Sequence, residues 1–401
     1  MALCFAIGLG GTIQAGTNYS LSRRLNALPL VASLLSFLGG TLLLAATVAV
    51  LNKRRKQRLA EAAGARRAEE EAAAYYAPAP FVPSETGRDG VKPINFHEHY
   101  APTTALADAE ELEQAEAAEQ LQPWELVGGA LGASAVLTAV VVAPALGYQV
   151  YTLSKVAGEL LGAVAVDAVG LLGLQRRAPT ALRAGGALLT LLGCLLTLAD
   201  RGQGAGGSED SSGGGGEEEF AWWRVALALF TGCLLPIQAS INRRLSERLP
   251  AGVKTGAALI SFSVGSCCLA ASALLGWALS DDESLGADTF SSLGEIFSAL
   301  GNWWMLLGGL YGSFFVAGGV LLTPRLGATA YFVSSVCGAI VSAIAADHFG
   351  ILGFAVRGVT WLRFLGAAVA VAGVGCVARS NMPESTLEDV DVELPPVGSR
   401  P

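Results

Sequence analysis

The chain has 401 residues, of which 52% are apolar and only 15% charged, with a net charge of −8. A soluble protein carries roughly a quarter of its residues as charged side chains, so many of these segments must lie in lipid. All seven cysteines (Cys4, Cys194, Cys233, Cys267, Cys268, Cys337 and Cys376) fall in apolar stretches, which argues against a disulfide framework and against a zinc site.

A spanning helix needs about 20 mostly apolar residues. Met1 leads straight into such a stretch with no basic segment before it, so residues 2–20 are expected to act as an uncleaved insertion signal. Further spans are expected at 28–51, 125–143, 149–168, 183–199, 222–241, 256–279, 303–323, 329–347 and 361–378, ten in all. The seven tryptophans (Trp124, Trp222, Trp223, Trp277, Trp303, Trp304 and Trp361) stand at or near the ends of these segments, where an amphipathic ring sits at headgroup level.

The connecting stretches are expected to be irregular. The insert 52–123 runs from basic (Lys53–Arg67) through Pro-rich (Pro78, Pro80, Pro83) to acidic and Ala-rich (Ala105–Gln122). It reads as a cytoplasmic, largely disordered arm whose last part is a candidate exposed helix. Lys53–Arg58 abuts a span and is better explained as a topology anchor than as a lipid-headgroup site. Residues 201–219 form a Gly/Ser/Glu linker and 381–401 a disordered tail. His97-Glu98-His99 has no further ligand nearby, so no metal is expected.

Lysines and arginines set the orientation. Lys53–Arg58, Arg176, Arg177, Arg183, Arg243, Arg244, Arg248, Lys254, Arg325 and Arg379 fall on the side of the N-terminus. The opposite side holds Arg23, Arg24, Arg201, Arg224, Arg357, Arg363 and the acidic loop around Asp281 and Asp282. The positive-inside rule then puts both termini in the cytoplasm, although Arg23 and Arg24 run against it.

The chain also repeats itself. Residues 124–199 align with 304–379 at a constant offset of 180, matching Trp124, Gly128, Gly129, Gly132, Pro144, Gly147, Asp167, Gly170, Arg183, Gly186 and Gly193 with their own kind. Upstream, Gln14-Ala-Gly-Thr-Asn18 returns as Gln238-Ala-Ser-Ile-Asn242, and Ser36-Phe37…Gly40 as Ser261-Phe262…Gly265, at offsets of 224 and 225. Each copy thus holds five spans, residues 1–200 and 220–380. Five is odd, so the second copy must lie upside down relative to the first, an inverted repeat of the kind that many transporters use.

Polar residues inside the spans are the candidates for function. Gln14 and Asn18, and Gln238 and Asn242, are four apart and share a helical face. Such amides bond either to another helix or to a substrate, and the residues alone leave that open. Gly10, Gly11 and Pro236 suggest helix interruptions at matching places beside them. Tyr151 and Tyr331 open the duplicated stretch Tyr151–Gly173 and Tyr331–Gly353. Only its first copy carries Lys155 and Glu159, whose four-residue spacing allows an ion pair; Ser335 and Ala339 replace them in the second. A charge near the bilayer centre costs about 2.5–3.5 kcal/mol, so Glu159 is the candidate proton carrier and Lys155 a candidate substrate contact. Asp167 and Asp347, near span ends, are better read as interfacial carboxylates that help turn the chain. Gly128-x-x-x-Gly132 and Gly308-x-x-x-Gly312 speak for close helix packing. No Ser/His/Asp set, P-loop or dinucleotide fingerprint is present, so neither an enzyme nor a cofactor is expected.

The pattern Gln-x-x-x-Asn, Ser-Phe-x-x-Gly, Trp-x-x-x-Gly-Gly, Pro-x-x-Gly and Asp347-His348-Phe349-Gly350-Ile351-Leu352-Gly353 resembles the YdcZ-type inner-membrane exporters of the drug/metabolite transporter superfamily. The resemblance implies a polytopic exporter of small molecules, here as two fused copies that look like the partners of a dual-topology pair. The expectation is an all-α membrane protein of ten transmembrane helices in a 5+5 inverted repeat. Its partners would be the lipid bilayer and a small-molecule substrate, with no nucleic acid. Spans one, four, six and nine would line a central cavity. A non-transporting scaffold or lipid-interacting protein is the competing class and a channel the third.

Overall fold

The computed structural model describes residues 2–25, 29–76, 122–170, 176, 180–204, 222–249, 253–279, 303–326 and 328–380. These form ten α-helices and no strand: α1 (Ala2–Arg24), α2 (Pro29–Tyr76), α3 (Val127–Leu146), α4 (Tyr148–Val169), α5 (Ala181–Gly204), α6 (Trp222–Glu247), α7 (Gly256–Ala278), α8 (Gly308–Leu326), α9 (Ala328–Phe349) and α10 (Trp361–Arg379). Short 3-10 turns at Pro123–Leu126, Trp303–Leu307 and Ile351–Gly353 lead into α3 and α8 and out of α9. Among the described residues, six stretches are long and apolar enough to cross a membrane: Pro29–Ala65, Pro123–Leu146, Ala181–Asp200, Trp222–Glu247, Gly256–Ala278 and Trp361–Arg379. A shorter apolar stretch, Val333–Phe349, lies in α9.

Burial runs opposite to that of a water-soluble bundle. Leu188, Leu192 and Leu195 on α5, Phe230 on α6, Leu274 and Leu275 on α7 and Phe364 on α10 are exposed, whereas Thr12, Asn18, Ser36, Gln149, Thr190 and Asn242 are buried. Exposed apolar surface on this scale needs an apolar solvent. The chain is an integral, multi-pass membrane protein.

Three expectations need correction. α2 is 48 residues long and runs to Tyr76, so the first third of the expected irregular insert is helix continuous with a span. At 1.5 Å per residue α2 reaches about 70 Å, more than twice the hydrocarbon thickness. Residues 77–121, the Pro-rich and acidic parts, lie outside the described residues, as do 205–221, 381–401 and His97-Glu98-His99. α1 continues to Arg24 and α6 to Glu247, so Asn18 and Asn242 stand inside helices rather than at their ends. Nor is either helix interrupted: α1 passes through Gly10 and Gly11, and α6 through Pro236. Packed neighbours can satisfy the backbone groups that a proline frees in a membrane helix.

Glycine lets the helices touch backbone to backbone. On α4 and α6, Gly158 faces the Leu229 carbonyl, Gly162 the Cys233 carbonyl and Gly232 the Lys155 carbonyl. On α1 and α9, Gly8 faces the Ser335 carbonyl and Gly338 the Phe5 carbonyl. α2 and α7 stack Phe37 on Phe262 at 4.8 Å, each ring lying over the other helix's glycine, Gly265 or Gly40. α5 and α10 run antiparallel, with Gly186 against Gly373 and Gly193 against Gly366. In each case the partners exchange under the sequence offsets of 180 and 224–225.

Gly147 alone separates α3 from α4, at φ +86°. A Cβ there would be strained, and would stand 3.0 Å from the Arg357 guanidinium and 3.2 Å from the Asp347 carboxylate.

Candidate functional site

The two amide pairs fall on the two glycine pairs. Gln14 and Asn18 of α1 lie against Gly312 and Gly308 of α8, and Gln238 and Asn242 of α6 lie against Gly132 and Gly128 of α3. Both motifs have a spacing of four, about one helical turn, so two polar knobs on one helix meet two flat positions on the other. The sequence shows each motif but not that they are partners. Gln14 and Gln238 are half-buried. Asn18 is fully buried and neither of its amide atoms has a hydrogen-bond partner; the Asn242 oxygen is unpartnered too. These three atoms make no interhelical hydrogen bond in this arrangement. A buried polar group left unsatisfied costs about 1–3 kcal/mol.

A second cluster forms across α4 and α9. Tyr151 is buried and its hydroxyl donates to the Ala135 carbonyl at the long distance of 3.5 Å; Tyr331 donates to the Phe315 carbonyl at 3.3 Å. Glu159 lies within electrostatic reach of Tyr151, Tyr331 and Lys155. The expected ion pair is not closed: among the described residues no contact within 4 Å joins the Lys155 and Glu159 charges. Both side chains are half-buried at the seam with α6, where Gly232 meets the Lys155 carbonyl. The structure thus gathers Tyr151, Lys155, Glu159 and Tyr331, and holds Gln14 and Gln238 on separate helix pairs. An apolar crevice of about 450 Å³ opens between α4 and α6 along Leu161, Val166, Cys233 and Ile237, and none of these candidates lines it.

Charged contacts that sequence reasoning missed tie α1–α5 to α6–α10. The Asp347 carboxylate accepts the Tyr148 and Gln149 N–H groups at 2.8 and 3.0 Å, satisfying the buried N-terminus of α4. Arg357 donates to the Pro144 carbonyl beside it, at 3.1 Å. Arg363 pairs with Asp200 at 2.9 Å, and the Gln149 side chain donates to the Arg363 carbonyl at 2.9 Å. Near the start of α3, buried Glu125 pairs with Arg248 at 2.8 Å. Asp167 pairs with Arg183, within one copy. The repeat makes Asp167 and Asp347, and Arg183 and Arg363, look equivalent, yet the two copies use them differently. Among the described residues no three His, Cys, Asp or Glu side chains gather in a metal-binding group.

A bundle of apolar helices around buried amides and hydroxyls defines a polytopic membrane protein. The chain belongs to the family described as "Putative inner membrane exporter, YdcZ", whose model matches residues 102–196 and 223–376, more than half of the sequence and in two segments. The first segment covers α3, α4 and α5 as far as residue 196, and the second nearly all of α6–α10, so α1 and α2 lie outside the match. No curated protein matches the chain. A solved structure titled only "Crystal structure of protein" is 16% identical, with 98% of this chain and 99% of that chain covered, at a TM-score of 0.41. A likeness that loose carries no weight here.

Proposed function

We propose that the protein is a secondary transporter that exports a small metabolite or drug-like molecule by alternating access between two inverted five-helix halves, α1–α5 and α6–α10. The observation that carries the reading is the exchange of partners: α1 sits on α8 as α6 sits on α3, and α1 on α9 as α6 on α4. Such an exchange is what a two-fold axis in the membrane plane produces. Under that symmetry the Asn18–Gly308 contact lies near one face and the Asn242–Gly128 contact near the other. Opening one while the other stays shut would admit substrate from each side in turn, with Gln14, Gln238, Tyr151, Tyr331 and Lys155 along the path. Glu159 is the proton carrier in this reading, because it is a carboxylate inside an apolar helix with no salt bridge to Lys155. Both termini face the cytoplasm.

Counterflow in proteoliposomes tests the function. A saturable flux stimulated by substrate on the opposite side is the expected result, and Gln14→Leu with Gln238→Leu should reduce it. A large flux that neither saturates nor responds to trans substrate would indicate a channel. The scaffold reading draws support from α2, whose exposed basic residues Lys53, Arg54, Lys56 and Arg58 extend the span as one continuous helix. Absence of flux for every solute screened would favour it.

A further inference from the structure

We propose that α1, α2 and the start of α8 hold a site for a small monovalent cation of sodium size, ligated by neutral oxygens. Thr17 Oγ1 and Ser36 Oγ stand 2.9 and 3.0 Å from the point where a Cβ on Gly308 would be, and Asn18 Oδ1 is closer still. Three side-chain oxygens therefore gather around the bare face of Gly308. Asn18, Thr17 and Ser36 are each at most 2% exposed. Asn18 and Ser36 have no hydrogen-bond partner, and neither has Ser33, one turn before Ser36 on the same face of α2. Thr17 donates its proton to the Gln14 carbonyl at 2.9 Å, so its lone pairs are what it turns to the nest.

The same fold supplies its own control. At the equivalent contact in α6, α7 and α3, Ile241 replaces Thr17, Ala258 replaces Ser33, and the atoms nearest a Cβ on Gly128 are one oxygen of Asn242 and two carbons of Ile241. The asparagine and Ser261 are kept there, so packing asks for those; the oxygens at 17 and 33 exceed what packing asks for. An anion suits the nest less well. The 3-10 turn Trp303–Leu307 runs directly into α8, so the oxygens face the flank of a continuing helix and not a free helix N-terminus. Binding at this spot would satisfy the Asn18 and Ser36 oxygens that closure of the α1–α8 contact strands. Its use as a coupling ion rests on the transport reading above; the site itself does not.

The test uses purified full-length protein titrated with sodium chloride against choline chloride at constant ionic strength. Sodium is expected to raise Tm saturably and choline to leave it unmoved. Thr17→Val, nearly isosteric but without lone pairs, should lose the rise. Thr17→Ser and the twin-site variant Ser261→Ala should keep it. A wild-type Tm indifferent to sodium overturns the proposal without any variant, and so does a sodium rise that Thr17→Val retains. A sodium rise without counterflow would count against the transport reading and leave the site standing, whereas counterflow with no sodium rise would do the reverse.

Discussion

Glu159 is a half-buried carboxylate on α4, with Lys155 one turn away and Tyr151 and Tyr331 within electrostatic reach. Spacing suggested that Lys155 would neutralise it, whereas the structure leaves the charges apart and brings Tyr331 near from another helix. That arrangement predicts that Glu159→Gln abolishes transport driven by a pH gradient while leaving substrate exchange measurable; intact pH-driven transport in that variant would rule the role out. Glycines give a contrast at the same scale. A Cβ on Gly232 would run into the Lys155 carbonyl, but a Cβ on Gly185 meets nothing within 4 Å. Gly232→Ala should therefore cost about 1–3 kcal/mol by overpacking. Gly185→Ala should gain up to about 1 kcal/mol from helix propensity. Unfolding midpoints of the two variants in detergent check the opposite signs.

Among the elements, the ten helices start within about five residues of the expected spans, and six described stretches are long and apolar enough to cross a membrane. The ends moved outward wherever polar residues continue a helix past the hydrocarbon, as Ser20–Arg24, Asn242–Glu247 and Lys53–Tyr76 do. What stayed hidden were the pairings between helices far apart in sequence. Nothing local to Asp200 or Arg363 announces that they meet, with each side chain about 10% exposed. Removing one member of a buried pair costs about 3–5 kcal/mol, while replacing both by apolar residues is often neutral. Arg363→Met should thus destabilise the α5–α10 contact strongly, and Arg363→Met with Asp200→Leu should recover much of the loss in a double-mutant cycle of unfolding midpoints. The antiparallel register makes a further demand. Cysteines placed at 186 and 373, or at 193 and 366, should cross-link in a cysteine-free background, while the mixed pairs 186 with 366 and 193 with 373 should not.

At the scale of the whole molecule, duplication was the most legible feature, since offsets of 180 and 224–225 need no structure to be seen. The exchange of contacts between copies was not, because one alignment is compatible with two separate bundles as well as with one intertwined body. The central claim is that the Asn18–Gly308 and Asn242–Gly128 contacts open reciprocally. Cross-linking cysteines introduced at 18 and 308, and labelling a third at 242 with a membrane-impermeant thiol reagent, measures this without knowing the substrate. Locking the first contact should raise labelling at 242, and locking cysteines at 242 and 128 should raise labelling at 18. Labelling at each site that is indifferent to the lock at the other would contradict alternating access.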